Sequence, residues 1–187
     1  MAYAEATDDS CRAYGEVHVT CEAILLSLGK ADEAYQRHAF GANHRSTNLA
    51  TFRAIVAKYP DRTPASILLD LAASTPGAAE KWFAAAKSTG LYDTAIALVN
   101  QSPCDPRTLT RAARKAAESH PTFAMEAGLA ALRWIAAGDG YEITSRNIDD
   151  AYQYTKKAAT NGGCRGKAEA RIQALKGNGR RLDSLVL

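Results

Sequence analysis

The stretch Thr63 to Gly90, TPASILLDLAASTPGAAEKWFAAAKSTG, decides the reading of the fold. It holds two Thr-Pro pairs, Thr63-Pro64 and Thr75-Pro76. A threonine before proline reads as an N-cap followed by an N1 proline. The cap hydroxyl accepts a free backbone N–H, and proline lacks the N–H that a first helical turn leaves unpaired. The pairs predict helices over Pro64–Ala73 and Pro76–Ser88, the second ended by Gly90. Asp105-Pro106 repeats the signal and predicts a helix over Pro106–Ser119.

Helix signals continue on both sides. Upstream, Thr7-Asp8-Asp9-Ser10 offers caps for a first helix. Its apolar positions Tyr14, Val17, Cys21, Ile24, Leu25 and Leu28 recur at helical spacing and are expected inward, with Gly29 as a left-handed stop. Asp32–Phe40, closed by Gly41-Ala42-Asn43, and Asn48–Tyr59, stopped by Pro60, follow. Leu49, Phe52, Ile55, Val56 and Tyr59 are the expected inner face of the latter. Downstream come Leu91–Asn100, Pro121–Ala137, a break at Gly138-Asp139-Gly140, Arg146–Thr160 and Lys167–Leu175. Tyr141 to Thr144 alternates, but a lone segment makes no sheet.

Composition agrees. Of 187 residues 38 are alanine, the best helix former and a poor strand residue, while aromatics are only 7%. The expectation is an all-α chain of about ten short helices in antiparallel pairs. Starts near 47, 76 and 106, roughly 30 residues apart, suggest pairs stacked as a solenoid. One domain over 1–176 is expected, with 177–187, loosened by Gly177 and Gly179, as a flexible tail. No apolar run approaches the ~20 residues that span a bilayer, and Glu5, Asp8 and Asp9 replace the basic start of an export signal. A cytoplasmic protein without membrane contact is the expectation.

The four cysteines, Cys11, Cys21, Cys104 and Cys164, form no CxxC and are read as free thiols, Cys21 as a core residue. His18 and Cys21 share a helix face with Cys11 two turns away, but a zinc site needs a further ligand that no spacing supplies. His120 suits a helix entry, and His38 and His44 flank a loop and are expected exposed. There is no GxxxxGK[ST], GxGxxG or HExxH motif, so no catalytic, cofactor or metal residue is assigned. Asp149-Asp150 fit the first turn of their helix, where acidic residues favour the dipole. Trp82-Phe83 and Trp134 are expected to fill wide gaps between helices.

Charge is uneven. Residues 1–106 carry 9 basic and 12 acidic side chains, net −3, and residues 107–187 carry 14 and 8, net +6. Arg111, Arg114 and Lys115 share one helix face at i, i+3 and i+4, and Lys156-Lys157 add a second cationic point.

The segment Leu28-Gly29-Lys30-Ala31-Asp32-Glu33-Ala34-Tyr35 resembles the turn inside a tetratricopeptide repeat, where a glycine ends the first helix and an alanine five residues later packs under it. The same turn, the Phe52 to Pro60 helix ending in Tyr-Pro, His120-Pro121 and the Ala151 to Ala159 helix resemble the C-terminal helical region of an uncharacterised bacterial family. Some relatives of that family carry SWIM zinc fingers, a motif absent here. The resemblance implies a tetratricopeptide-like α-solenoid with no established activity. The expected function is a protein–protein interaction scaffold taking a protein or peptide partner through Arg111, Arg114, Lys115, Lys156 and Lys157. The alternative is a nucleic-acid-associated accessory protein using the basic C-terminal third, although no aromatic stacking residue follows Tyr154 in that stretch.

Overall fold

The computed structural model describes the backbone of residues 2–176 and side chains from Gly15 onward. The expected tail 177–187 and the Tyr14 and Cys11 side chains therefore lie outside the described residues. Ten α-helices are present among the described residues: α1 Ala2–Ser27, α2 Ala31–Ala42, α3 Asn48–Lys58, α4 Pro64–Ala73, α5 Phe83–Ser88, α6 Tyr92–Gln101, α7 Pro106–Ala116, α8 Pro121–Ala137, α9 Ser145–Asn161 and α10 Arg165–Lys176. No strand occurs among them, so the chain is all-α as expected.

The Thr63 cap forms as expected: its hydroxyl accepts the Ser66 N–H at 3.2 Å. Thr47 caps α3 in the same way through Ala50 N–H. The Thr75-Pro76 signal does not open a helix. Gly77 takes φ +75 directly after the proline. Thr75 turns its hydroxyl back onto the Leu71 and Ala72 carbonyls and accepts Trp82 Nε1–H at 3.1 Å. A 3-10 turn over Ala79–Trp82 intervenes, and only Phe83–Ser88 is α-helical. The start expected near 76 is therefore shifted, and the even 30-residue recurrence goes with it.

α1 buries a different face from the one its apolar spacing suggests. Val17, Ile24 and Leu28 are 58%, 53% and 64% exposed, while Glu22 is wholly buried. Leu25 and Leu26 supply its apolar contact with the core. Polar satisfaction decides this face: Glu22 Oε1 accepts from Asn43 Nδ2 and Tyr59 Oη, each at 2.7 Å, and Oε2 pairs with Lys58 Nζ at 2.6 Å. Gly29 does end the α1 region left-handed, at φ +72, with Lys30 N–H bonded to Leu25 O and Gly29 N–H to Leu26 O. That pair of bonds is a Schellman closure. Ala34 is fully buried beneath it. Gly41 lies inside α2 rather than ending it, against the His18 ring.

α8 is central to the C-terminal half. It packs on α6, α7, α9 and α10, and ten of its residues from Phe123 to Ile135 are buried. A helix apolar around most of its circumference must be enclosed in this way. Next-but-one contacts link α3 with α5, α4 with α6, α6 with α8, α7 with α9 and α8 with α10. Trp82 and Phe83 are buried, and Trp134 is half-buried with its Nε1–H on Val99 O at 2.9 Å.

Candidate functional site

Asp105 starts α7 by accepting Arg107 N–H on Oδ1 and Thr108 N–H on Oδ2. From there the 3.6-residue period puts Leu109, Ala112, Ala113 and Ala116 inside. Arg107, Arg111, Arg114 and Lys115 are thereby turned outward. α9 begins with a capping box between Thr144 and Asn147, which fixes Asn147 at the helix entry. Its inner face is Ile148, Ala151, Tyr152 and Thr155.

The outer faces of α7 and α9 flank an open cleft of about 380 Å³. Arg107, Arg111 and Arg114 line its α7 side, and Asn147, Asp150 and Tyr154 line the α9 side. The three arginines fall at i, i+4 and i+7, one stripe along the helix. Arg107 is tied down, since its Nη2 donates to the Tyr141 and Glu142 carbonyls at 2.8 and 2.7 Å. Arg111 donates within its own helix, to Arg107 O at 3.3 Å and Thr108 Oγ1 at 3.1 Å. The Arg114 guanidinium carbon lies 5.9 Å from the Tyr154 ring centroid. The cleft thus combines cationic forks, an amide, a carboxylate and an aromatic face.

The five residues expected to bind a partner do not converge. Arg111 and Arg114 line the cleft. Lys115 is exposed on α7. Burial lowers the Lys87 pKa, and the charges of Lys115 and Arg111 lower it further, so these three form a cationic neighbourhood across α5 and α7. Lys156 is half-buried, with its ammonium 5.1 Å from the Tyr152 ring centroid. Lys157 pairs with Glu118 at 2.8 Å, which raises the pKa of the lysine and lowers that of the glutamate. Sequence spacing missed Arg107, Asn147, Asp150 and Tyr154. The i, i+4, i+7 run of Arg107, Arg111 and Arg114 is the signal that could have found the first.

Two other polar centres escaped the sequence. His18 and His38 meet across α1 and α2 with Nδ1 atoms 3.0 Å apart, so His38 is half-buried rather than exposed. Burial, and then the hydrogen bond to Asp70, pushes the Tyr35 phenol pKa up. Cys21, Cys104 and Cys164 are each unbonded to another cysteine. Among the described residues no helix is long and apolar enough to cross a membrane. No family model, curated protein or solved structure matches the chain, so the resemblance to tetratricopeptide and related helical families rests on the residues quoted for it.

Proposed function

We propose that the protein is an interaction scaffold, a short tetratricopeptide-like α-solenoid whose α7–α9 cleft holds an acidic peptide segment of a partner. The observation that carries the reading is the α7 arginine stripe facing Tyr154 and Asn147 across an open cleft. The next-but-one helix contacts support the stacked arrangement, because each pair in a solenoid rests on its neighbours. Arg111 and Arg114 form no ion pair among the described residues. Their charge is available to a ligand.

The alternative, a nucleic-acid accessory role for the basic C-terminal third, has less to draw on. Lys157, Arg165 and Arg171 are already paired with Glu118, Glu169 and Glu126. Anisotropy titrations of a labelled glutamate-rich peptide and of unrelated DNA at two salt concentrations test both readings. The scaffold reading expects saturable peptide binding, weakened about tenfold or more by combined Arg111→Glu and Arg114→Glu, with a modest salt slope. DNA binding that falls steeply with salt, and no peptide binding, would replace it with the alternative.

A further inference from the structure

Away from that cleft, two imidazoles converge where α1 packs on α2. His18 and His38 come from these two helices, and their Nδ1 atoms stand 3.0 Å apart. The rings meet edge to face, with centroids 5.1 Å apart and planes at 60°. His18 has little room to swing away. Its ring lies on α2 at Gly41, where a β-carbon would come within 2.8 Å of Cγ and Cδ2. Both rings are half-buried, so the pair is seated and yet reachable from solvent.

Two imidazole nitrogens this close hydrogen-bond when one carries a proton and the other offers its lone pair. The same spacing suits an ion held by both lone pairs. Nitrogens ~2.0–2.1 Å from one metal stand about 2.9 Å apart at a right angle and about 3.4 Å apart at the tetrahedral angle. The observed 3.0 Å lies nearer the right-angle value, which belongs to the tetragonal geometry of copper(II) and nickel(II). Chelation asks the donor ring to move its proton from Nδ1 to Nε2 through solvent, and both rings stay neutral. It also asks the rings to tilt, so that lone pairs aimed along the N–N line converge beside it. Because the fold already brings the two ligands together, little ordering entropy is left for the ion to overcome. An all-nitrogen pair disfavours magnesium and calcium, which take oxygen ligands. The nearest cation in sequence, Arg37, is paired with Glu33. Among the described residues no group of three or more His, Cys, Asp or Glu side chains is placed to hold an ion, so water completes the coordination.

We infer that His18 and His38 form a two-imidazole site for one divalent late transition-metal ion, copper(II) or nickel(II) ahead of zinc, held through the two Nδ1 atoms. The ion clips α1 to α2. It binds only while the two helices are docked, and it therefore stabilises that docking by mass action. This site is independent of the α7–α9 cleft.

The test titrates the full chain with nickel(II) and zinc(II) by calorimetry, and follows the zinc titration by nitrogen-15 NMR of the imidazoles. Nickel(II) stands in for copper(II) because it does not oxidise the thiols. The expected result is one ion per chain, nickel bound more tightly than zinc, and zinc-dependent shifts of the His18 and His38 Nδ1 resonances while those of His44 and His120 stay put. His18→Gln and His38→Gln should each lower nickel affinity at least tenfold, and His44→Gln should leave it unchanged. The nitrogen-15 shifts read the site in the unsubstituted chain, so a variant that folds poorly leaves the test intact. Saturating zinc should slow hydrogen exchange of the α1 amides several-fold, and His38→Gln should abolish that slowing. No nickel binding at millimolar concentration, nickel binding that survives both histidine substitutions, zinc bound more tightly than nickel, or His18 and His38 resonances that stay put would overturn the assignment.

Discussion

A β-carbon placed on Gly128 would lie 2.1 Å from Thr155 Oγ1, so α8 and α9 meet at a point where only a hydrogen fits. Thr155 is wholly buried and donates its hydroxyl to Ala151 O at 2.7 Å, so it is anchored as well as close. Rotating the hydroxyl away would not relieve Gly128→Ala, because Thr155 Cβ and Cα stand at 3.1 and 3.3 Å. Helix propensity favours alanine by ~1 kcal/mol, but overpacking costs ~1–3 kcal/mol. The clash should win, and Gly128→Ala should cost about 1–2 kcal/mol of stability, read as a lower urea midpoint. Adding Thr155→Ala should return part of that loss, a non-additivity that a double-mutant cycle reads directly.

The carboxylate of Glu22 gathers Asn43, Lys58 and Tyr59 from two other parts of the chain. Glu22→Ala leaves the buried Tyr59 phenol without its acceptor and the Asn43 amide with Ala39 O alone, and should cost about 2–4 kcal/mol in thermal or urea unfolding. Glu22→Gln keeps an acceptor oxygen, loses only the Lys58 charge pair and should cost distinctly less. Equal losses for the two variants would show that the site is held by packing rather than by this network.

At Gly29 the space around the missing side chain is open, but φ is +72. Gly29→Ala should therefore cost about 1 kcal/mol through backbone strain alone. Ala34, fully buried next to that turn, has no such room, and Ala34→Leu should cost about 1–3 kcal/mol by overpacking. Chemical denaturation of both variants, run beside the parent, checks the pair.

Burial pushes the Cys104 thiol pKa up to about 12, with the charges of Asp105 and Glu80 adding to it. At pH 8 iodoacetamide should modify the half-buried Cys21 and Cys164 well before Cys104, as peptide mapping by mass spectrometry would show. The sign for stability follows. Unfolded cysteine ionises from about pH 8.5, whereas the folded thiol resists up to about 12. The contribution of Cys104 is therefore present below pH 8.5 and is lost progressively as pH rises toward 12.

Local caps made the helices legible. Thr63-Pro64 and Asp105-Pro106 placed α4 and α7, and the bounds of α8 agree residue for residue with Pro121 and Ala137. Thr75-Pro76 misled because Gly77 follows, and a proline followed by a left-handed glycine makes a turn. The α1 face was misread because periodicity weighs apolar residues and cannot foresee three partners converging on Glu22 from positions 21, 36 and 37 residues away. The cleft was half legible. The Arg111 and Arg114 stripe was visible, but its α9 wall depends on a tertiary crossing that no local spacing encodes.

The attachment of α1 has a thermodynamic consequence. It packs mainly on α2, with Val17, Ile24 and Leu28 already facing water, and its described polar contacts include the Glu22 knot and the His18–His38 pair. Lifting it away would uncover little additional hydrocarbon, so the opening should carry a small heat-capacity change and a shallow dependence on urea. In native-state hydrogen exchange, α1 amides should then become exposed through a sub-global event almost flat in denaturant, while α8 amides follow the steep slope of the whole molecule. α1 and α8 would share one fold and yet answer to different solvents: the first to salt, the second to anything that weakens the hydrophobic effect.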